Sequence, residues 1–216
     1  VELPEYTGLH ILQDGTCGIQ QLNPEAPGYL LAFDIGTTSL VCFLLDPKNG
    51  AELSKSSMLN PQAAFGADVI SRIQSALHGN LKQETETIRM GMSSLIQSVC
   101  HDAKITPEEI GVVSVVGNPA MQQIFLGIPP SNLTEIPFAP VLTEAKTLPC
   151  HDYLSVCPNA VLLVVPDISG YIGADTIGCL LATELYRKEE ITLLVDIGTN
   201  GELVLGNKDR MTACST

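Results

Sequence analysis

A short pattern occurs twice in this sequence, and the repeat limits the possible folds more than any other feature. The first copy is FDIGTTSLVCFLLD, residues 33–46, and the second is VDIGTNGELVLGN, residues 195–207. In both copies an apolar segment typical of a β-strand reaches an Asp, a Gly-Thr turn follows, and a second apolar segment runs back. Two hairpins of one design predict a duplicated architecture in which the two turns face each other across a cleft.

The residues of these turns suit the binding of phosphate groups. Glycine allows the backbone to approach a ligand, and such a turn gathers N–H groups and hydroxyls that can donate to phosphate oxygens. Asp34 and Asp196 are the candidate catalytic and metal residues, since each can hold Mg²⁺ through its waters or orient an attacking water. The simpler alternative is local, because Asp, Ser and Thr often stabilise turns of this kind. The candidate phosphate contacts are Gly36, Thr37, Thr38, Ser39, Gly198, Thr199, Asn200 and Gly201.

Several functional classes are disfavoured by the sequence. It contains neither a Walker phosphate loop nor the glycine fingerprint of dinucleotide-binding folds. The net charge of −13, from 11 basic and 24 acidic residues, repels nucleic acid and acidic membrane surfaces. No apolar run approaches the roughly 18 residues of a spanning helix, and the first residues do not resemble a signal peptide. We therefore expect no nucleic acid, no membrane partner and a cytoplasmic location.

The spacing of apolar residues predicts an α/β protein. Residues 29–59 contain three apolar segments separated by the turns GTT and DPKNG, which predicts an antiparallel meander. Apolar residues then recur at helical spacing, first at Val69, Ile73 and Leu77 and again within residues 88–99. Two amphipathic helices are therefore expected after the meander.

Strands and helices continue to alternate in the rest of the chain. A capping box at Thr106 and Glu109 predicts a helical turn before the strand VVSVV. The Pro-rich residues 129–158 are expected to form a surface excursion, and residues 1–28 a linker or the remnant of an upstream domain. The other predicted elements are a helix at AMQQIFLG, a fully buried strand at AVLLVV, a helix within DISGYIGADTIGCLLATEL and the strands ITLLVDIG and GELVLG.

The seven cysteines predict reduced thiols rather than a disulfide framework. Their number is odd and no C-x-x-C pair occurs, so several are expected to be buried as small apolar side chains. Cys150 and Cys157, with His151 between them, form a weak metal candidate.

The two turns resemble the phosphate loops of a known superfamily. DIGTTS, residues 34–39, is similar to the first loop, and DIGTNGE, residues 196–202, to the second loop, of the superfamily that contains acetate and sugar kinases, heat-shock chaperone ATPases and actin. The helix GADTIGCLLATEL lies where that superfamily has the helix that connects its two lobes. The resemblance implies a ribonuclease H-like fold with a mixed sheet, a first lobe at 29–190, the start of a second lobe at 191–216, and ATP and Mg²⁺ as ligands.

Four longer strings resemble a narrower family. NPQAAFGADVISRI, GNPAMQQIFLGI, SGYIGAD and DIGTNGELVLGN together are similar to the ATPase part of the reductive activators of corrinoid proteins. Those proteins use ATP to drive electrons from an iron–sulfur cluster onto cobalt, which converts inactive Co(II) to Co(I). The resemblance implies a corrinoid iron–sulfur protein or a methyltransferase corrinoid protein as partner, and it leaves homodimer formation open. A 2Fe–2S cluster is expected only on a domain absent from this chain, because no ferredoxin-like cysteine run occurs in it.

Three more polar residues are candidates for the same cleft, and two other functions stay open. Asn118 follows an apolar strand, and Asp167 and Asp175 flank SGYIG, although a position at a helix N-terminus explains Asp175 almost as well. Because the sequence stops at ACST, early in the second lobe, we expect a fragment of a longer protein. The alternatives are a small-molecule kinase of the same fold and a non-catalytic nucleotide-binding scaffold.

Overall fold

The computed structural model describes residues 28–216 and the backbone of two short strands, 10–11 and 17–18. The linker predicted for residues 1–28 otherwise lies outside the described residues. The strands are β1 (His10–Ile11), β2 (Cys17–Gly18), β3 (Tyr29–Ile35), β4 (Ser39–Leu45), β5 (Glu52–Leu59), β6 (Ile110–Gly117), β7 (Lys146–Pro149), β8 (Val161–Val164), β9 (Thr192–Ile197), β10 (Gly201–Gly206) and β11 (Met211–Ser215). The α-helices are α1 (Val69–Ser75), α2 (Leu81–Ala103), α3 (Pro119–Leu126) and α4 (Ala174–Thr183).

Six strands form a mixed sheet in the order β5-β4-β3-β6-β8-β7. Strands β3, β4 and β5 are antiparallel neighbours, so the predicted meander is confirmed. Strands β6 and β8 run parallel to β3, and β7 lies antiparallel at the edge. Ile35 at the end of β3 pairs with Gly117 at the end of β6, so the segments that follow these strands begin side by side. The predicted α/β class with a mixed sheet is confirmed.

Helix α2 covers one face of this sheet. Its apolar stripe packs on β4 and β5 and contributes to the core with Ile88, Met92, Leu95, Ile96 and Val99. Each such side chain stabilises the fold by roughly 1.5–3 kcal/mol on burial. The apolar residues that recur at helical spacing in the sequence are therefore the ones that α2 buries in the core. Within the described part of the chain, no helix combines the length and apolarity needed to cross a bilayer.

Helix α4 lies on the opposite face. A Cβ atom at Gly178 would contact Val116 of β6 at 3.9 Å. Successive side chains of a strand point to opposite faces, so Val116 points away from Val115, which belongs to the main core. The mixed sheet is thus covered on both sides, and α4 leads directly to the second hairpin.

The prediction of a surface excursion at residues 129–158 is wrong for part of that segment. Residues 146–149 form the edge strand β7, and Leu133, Leu142 and Cys150 are buried in the main core. The prolines misled the prediction because they are compatible with one-turn helices and with an edge strand, whose outer side needs no N–H partner. The segment is irregular but partly internal.

The buried thiols agree with the sequence prediction. Cys42, Cys100, Cys150 and Cys157 are free and buried. Burial raises the pKa of Cys150 to about 12, so this side chain stays protonated and is a poor metal ligand. The weak metal candidate at this position gains no support.

The last three strands form a separate antiparallel sheet in the order β11-β10-β9. On one side of it Val204 is buried. On the other side lie side chains that pair across the strands, Val195 with Leu203 and Leu193 with Leu205. Leu193, Val195 and Leu205 are about half exposed, at 56%, 49% and 52%. We call this side, formed by Leu193, Val195, Leu203 and Leu205, the open face.

Candidate functional site

The first turn of the repeat, residues 36–38, joins β3 to β4 and depends on Gly36. A Cβ atom at this position would lie 2.7 Å from the carbonyl oxygen of Ser39, which is too close. Thr37 is buried, whereas Thr38 and Ser39 are exposed. The turn therefore combines a close backbone bend with hydroxyl groups on both its inner and its outer side.

Asn118 connects this turn to the neighbouring strand. Its Oδ1 accepts a hydrogen bond from the N–H of Met121 at 3.0 Å and so caps helix α3. Its Nδ2 donates to Thr37 Oγ1 at 3.0 Å. Because β3 and β6 are parallel and end together, the start of α3 lies beside the turn. The fold thereby brings a residue from a distant part of the sequence to the first turn.

The second turn, residues 198–200, lies against the first. The N–H of Gly198 donates to the carbonyl oxygen of Asn200 at 3.0 Å, which closes the turn. The hydroxyl oxygens of Thr38 and Thr199 are 2.7 Å apart, and either can be the donor. The two copies of the repeated pattern are therefore in direct contact.

A cavity of about 200 Å³ lies between the two turns. Asp34 and Asp196 both line it, although they stand at opposite ends of the chain. The volume is below the roughly 300–1,000 Å³ of ordinary small-molecule pockets, so it suits a phosphate-sized group better than a complete nucleotide. The lining residues are Asp34, Gly36, Thr37, Thr38, Ser39, Asn118, Asp175, Asp196, Gly198, Thr199, Asn200 and Glu202.

The candidates from the sequence line this cavity with two exceptions. Gly201 instead lines an adjacent depression of about 410 Å³. Asp167 is only 5% exposed and is absent from the lining. Glu202 also lines the cavity although it was not among the candidates; it pairs directly with Asp196 across β9 and β10 and so shares its side of the sheet. Hairpin register was the signal that could have identified it.

Acidic side chains crowd the cavity. The pKa of Asp34 is raised to about 6, first because the surrounding protein removes water from the carboxylate and then because Asp175 and Asp196 are negative. By its accessible surface Asp34 is exposed, so water screens much of this repulsion. Burial and neighbouring carboxylates also raise the pKa values of Asp175 and Glu202. A cation in the cavity would relieve this repulsion.

The donor atoms are suited to Mg²⁺ held through water. Carboxylate and hydroxyl oxygens are hard ligands, and Mg²⁺ in nucleotide sites typically uses one or two carboxylates together with phosphates and several waters. Across residues 28–216, no three His, Cys, Asp or Glu side chains form a group able to hold a metal ion by themselves. The chain thus offers carboxylates for contact through water, with phosphate supplying the remaining charge.

Asp167 is buried close to Asp175 without a hydrogen-bond partner. Neither of its carboxylate oxygens has a partner among the described residues. Burial, followed by the charge of Asp175, raises its pKa to about 8, and the nearby backbone N–H of Ala174 opposes the shift. Asp167 is therefore mostly protonated at neutral pH.

Cys179 on helix α4 contacts the second copy of the repeated Asp. Its Sγ donates to Asp196 Oδ2 at 3.7 Å. Burial, and then the charge of Asp196, raises the pKa of the thiol to about 11, so it remains a donor. This cysteine was not among the candidates from the sequence, and it links helix α4 to Asp196.

Comparison with known proteins shows the family. The family described as the RACo middle region matches residues 29–188, which is most of the chain. The family described as the C-terminal domain of RACo, the ASKHA domain, matches residues 190–216. The chain belongs to the RACo family. One copy of the repeated turn lies in each RACo region, and the resemblance to the reductive activators is confirmed.

Named relatives of this RACo chain are considerably longer. The corrinoid activation enzyme RamQ of Eubacterium limosum is 38% identical over 220 residues, which cover 99% of this chain and 37% of RamQ. The Co(II) methylated amine-specific corrinoid protein reductase of Methanosarcina barkeri is 24% identical over 203 residues, 87% of this chain and 36% of the reductase. A solved structure, the reductive activator for corrinoid, iron-sulfur protein, superposes with a TM-score of 0.85 at 34% identity, over 89% of this chain and 31% of that one. The chain spans about a third of the length of these relatives.

Proposed function

We propose that this chain is the ATP-binding part of a protein that reductively reactivates Co(II) corrinoid proteins to Co(I). The observation that carries the proposal is the single cavity lined by Asp34 and Asp196 from the two repeated turns. The names of the relatives, a corrinoid activation enzyme and a Co(II) corrinoid protein reductase, support a corrinoid protein as the partner. The proposed function also implies a cytoplasmic location.

The proposed organisation has two lobes joined by α4. Residues 29–190 would form the first ATPase lobe and residues 191–216 the start of the second. The two family matches, which meet between residues 188 and 190, support this division. The electron that converts Co(II) to Co(I) would come from a 2Fe–2S cluster outside this chain, because its cysteines do not have ferredoxin spacing.

In this proposal the residues of the cavity bind the terminal phosphates of ATP. The hydroxyls of Thr37, Thr38, Ser39 and Thr199 and the nearby backbone N–H groups donate to phosphate oxygens, as glycine-containing turns do. Asp34 and Asp196 would hold the waters of Mg²⁺, and one of them would orient the attacking water. Bound Mg²⁺ would supply the positive charge that the acidic wall and the phosphates both require. Hydrolysis would change the separation of the two turns and so move the lobes.

The decisive experiment is reduction of a Co(II) corrinoid partner by the full-length protein. Under anaerobic conditions with a reductant present, Mg-ATP should accelerate formation of Co(I), followed by absorbance. Asp34→Asn should lower the accelerated rate by roughly 10- to 100-fold, the usual effect of losing a side chain that positions a metal or its waters. Asp209→Asn, at an exposed carboxylate, is the matched control and should react at the wild-type rate.

The other possible outcomes would overturn the proposal or favour one of the two alternative functions. A wild-type rate that is the same with and without Mg-ATP would overturn the proposal. Phosphorylation of a metabolite without cobalt reduction would favour the kinase alternative. A melting temperature that rises with Mg-ATP, without cobalt reduction or phosphoryl transfer, would favour the nucleotide-binding scaffold, since a ligand at 100 times its Kd stabilises a folded protein by about 2.7 kcal/mol.

A further inference from the structure

Asn60 connects to two backbone positions of the first turn although it lies outside the repeated pattern. Its Nδ2 donates to the carbonyl oxygen of Gly36 at 2.8 Å. Its own backbone N–H donates to the carbonyl oxygen of Thr38, also at 2.8 Å. The residue is 1% exposed, so neither bond competes with water. One buried residue thus fixes the carbonyl groups on both sides of Thr37.

The other polar atom of the Asn60 side chain also forms a hydrogen bond. Its Oδ1 accepts from the N–H of Gln62 at 2.9 Å and caps the helical turn Pro61–Ala64. Gln62 is itself fully buried and donates to the carbonyl oxygen of Glu84 in helix α2. Asn60 therefore links the first turn, through Gln62, to helix α2.

Fixing these carbonyls determines what the turn can offer to an anion. With the Gly36 and Thr38 carbonyl oxygens bonded to Asn60, neither is available to face a phosphate, which it would repel. Among the described residues, the N–H groups of Thr37 and Thr38 donate to no backbone acceptor. Preoriented donors of this kind bind an anion without the cost of reorganising the backbone.

We propose that Asn60 is a positioning residue for the first phosphate turn: it holds the carbonyls of Gly36 and Thr38 away from the ligand so that the N–H groups of the turn bind the terminal phosphates. The inference rests on the proposed function, because the ligand is the polyphosphate of that proposal. Asn60 does not line the cavity and acts only through the turn.

The test separates this role from general stability. Asn60→Ser keeps a side chain able to cap the turn at Pro61–Ala64 but is too short to reach the Gly36 oxygen. The matched control is Thr85→Val, which removes a buried hydrogen bond to the Ile124 carbonyl oxygen, 2.7 Å long, away from the turn. In the full-length protein, titration calorimetry should show about a five- to tenfold weaker Kd for Mg-ATP in Asn60→Ser and an unchanged Kd in Thr85→Val.

A second measurement needs no nucleotide. Hydrogen–deuterium exchange of residues 34–40 in the free protein should be about five- to tenfold faster in Asn60→Ser than in wild type, and unchanged in Thr85→Val. The inference would be overturned if Asn60→Ser exchanged and bound Mg-ATP like wild type. It would also be overturned if both variants showed equally faster exchange and equally weaker binding. If wild type binds no Mg-ATP, the proposed function fails, and the exchange comparison still decides whether Asn60 holds the turn.

Discussion

Asp167 carries a proton that most aspartates release well below neutral pH. Its carboxyl group is buried beside Asp175, and its pKa is raised to about 8. An acid whose pKa is higher in the folded than in the unfolded state binds more protons when folded. Its contribution therefore makes the folded state less stable as pH rises from about 4 to about 8.

The raised pKa of Asp167 predicts how Asp167→Asn changes the stability of the protein. The amide keeps the shape and cannot ionise, so we expect a melting temperature roughly 5 °C or more above wild type at about pH 8.5 and a clearly smaller gain at about pH 5. Differential scanning calorimetry at the two pH values measures the difference. Asp209→Asn, at an exposed carboxylate, should show no such dependence. A variant that is less stable than wild type at the higher pH would contradict the assigned burial penalty.

The sequence was informative at single residues where a pattern repeated. Asp34 and Asp196 could be paired because the same turn occurs twice, and the structure brings both to one cavity. The repeat does not point to Glu202, Asn60 or Cys179, and only Glu202 could have been found from the sequence, through the register of its hairpin. The positions of Asn60 and Cys179 depend on a buried amide bond to the backbone and on a contact from α4, both of which are set by tertiary structure.

At the scale of elements, the start of α4 is packed against the end of β6. A Cβ atom at Gly173 would lie 2.4 Å from the carbonyl oxygen of Gly117 and 2.6 Å from Cα of Asn118. Both are backbone atoms, so no side-chain rotation can relieve the contact. The glycine therefore sets how closely the helix that leads to the second hairpin approaches the first.

Alanine at two glycines near this junction should have opposite effects. Gly173→Ala should destabilise the protein by roughly 1–3 kcal/mol, because the backbone must shift to admit the methyl group. Gly178→Ala, inside α4 with 3.9 Å of clearance, should stabilise it by about 0.5–1 kcal/mol through helix propensity. Urea unfolding of both variants tests the pair, and a Gly173→Ala protein as stable as wild type would show that the contact is not tight.

Elements with strong periodicity were predictable, and one short edge strand was not. The meander, α2 and the buried strand β8 each follow from apolar spacing over several residues. Strand β7 has four residues, ends in Pro149 and is stabilised by pairing with β8 rather than by its own sequence. Local propensity alone could not predict it, because the partner strand supplies its hydrogen bonds.

At the scale of the whole molecule, the open face is an exposed apolar patch. Leu193, Val195, Leu203 and Leu205 lie together on one side of the three-stranded sheet. Clustered apolar side chains on a surface favour association with another apolar surface, whereas isolated ones do not. The 216-residue chain by itself should therefore self-associate.

Charged substitutions should test this expectation. Val195→Lys combined with Leu205→Lys should convert the isolated chain from a concentration-dependent oligomer to a monomer in sedimentation velocity. Leu59→Lys is the control, because Leu59 is 75% exposed on strand β5, away from this face, and should leave the association unchanged. A wild-type chain that sediments as a monomer at about 100 µM would show that the patch is too small to drive association.

The hydrogen bond between the hydroxyls of Thr38 and Thr199 joins the two turns at the cavity. At 2.7 Å one hydroxyl donates to the other, so no phosphate oxygen fits between them. On the proposed function, a polyphosphate oxygen that bound between these hydroxyls would replace their hydrogen bond and separate the two turns. The distance between the Thr38 and Thr199 hydroxyl oxygens would then differ between the free and the ATP-bound protein.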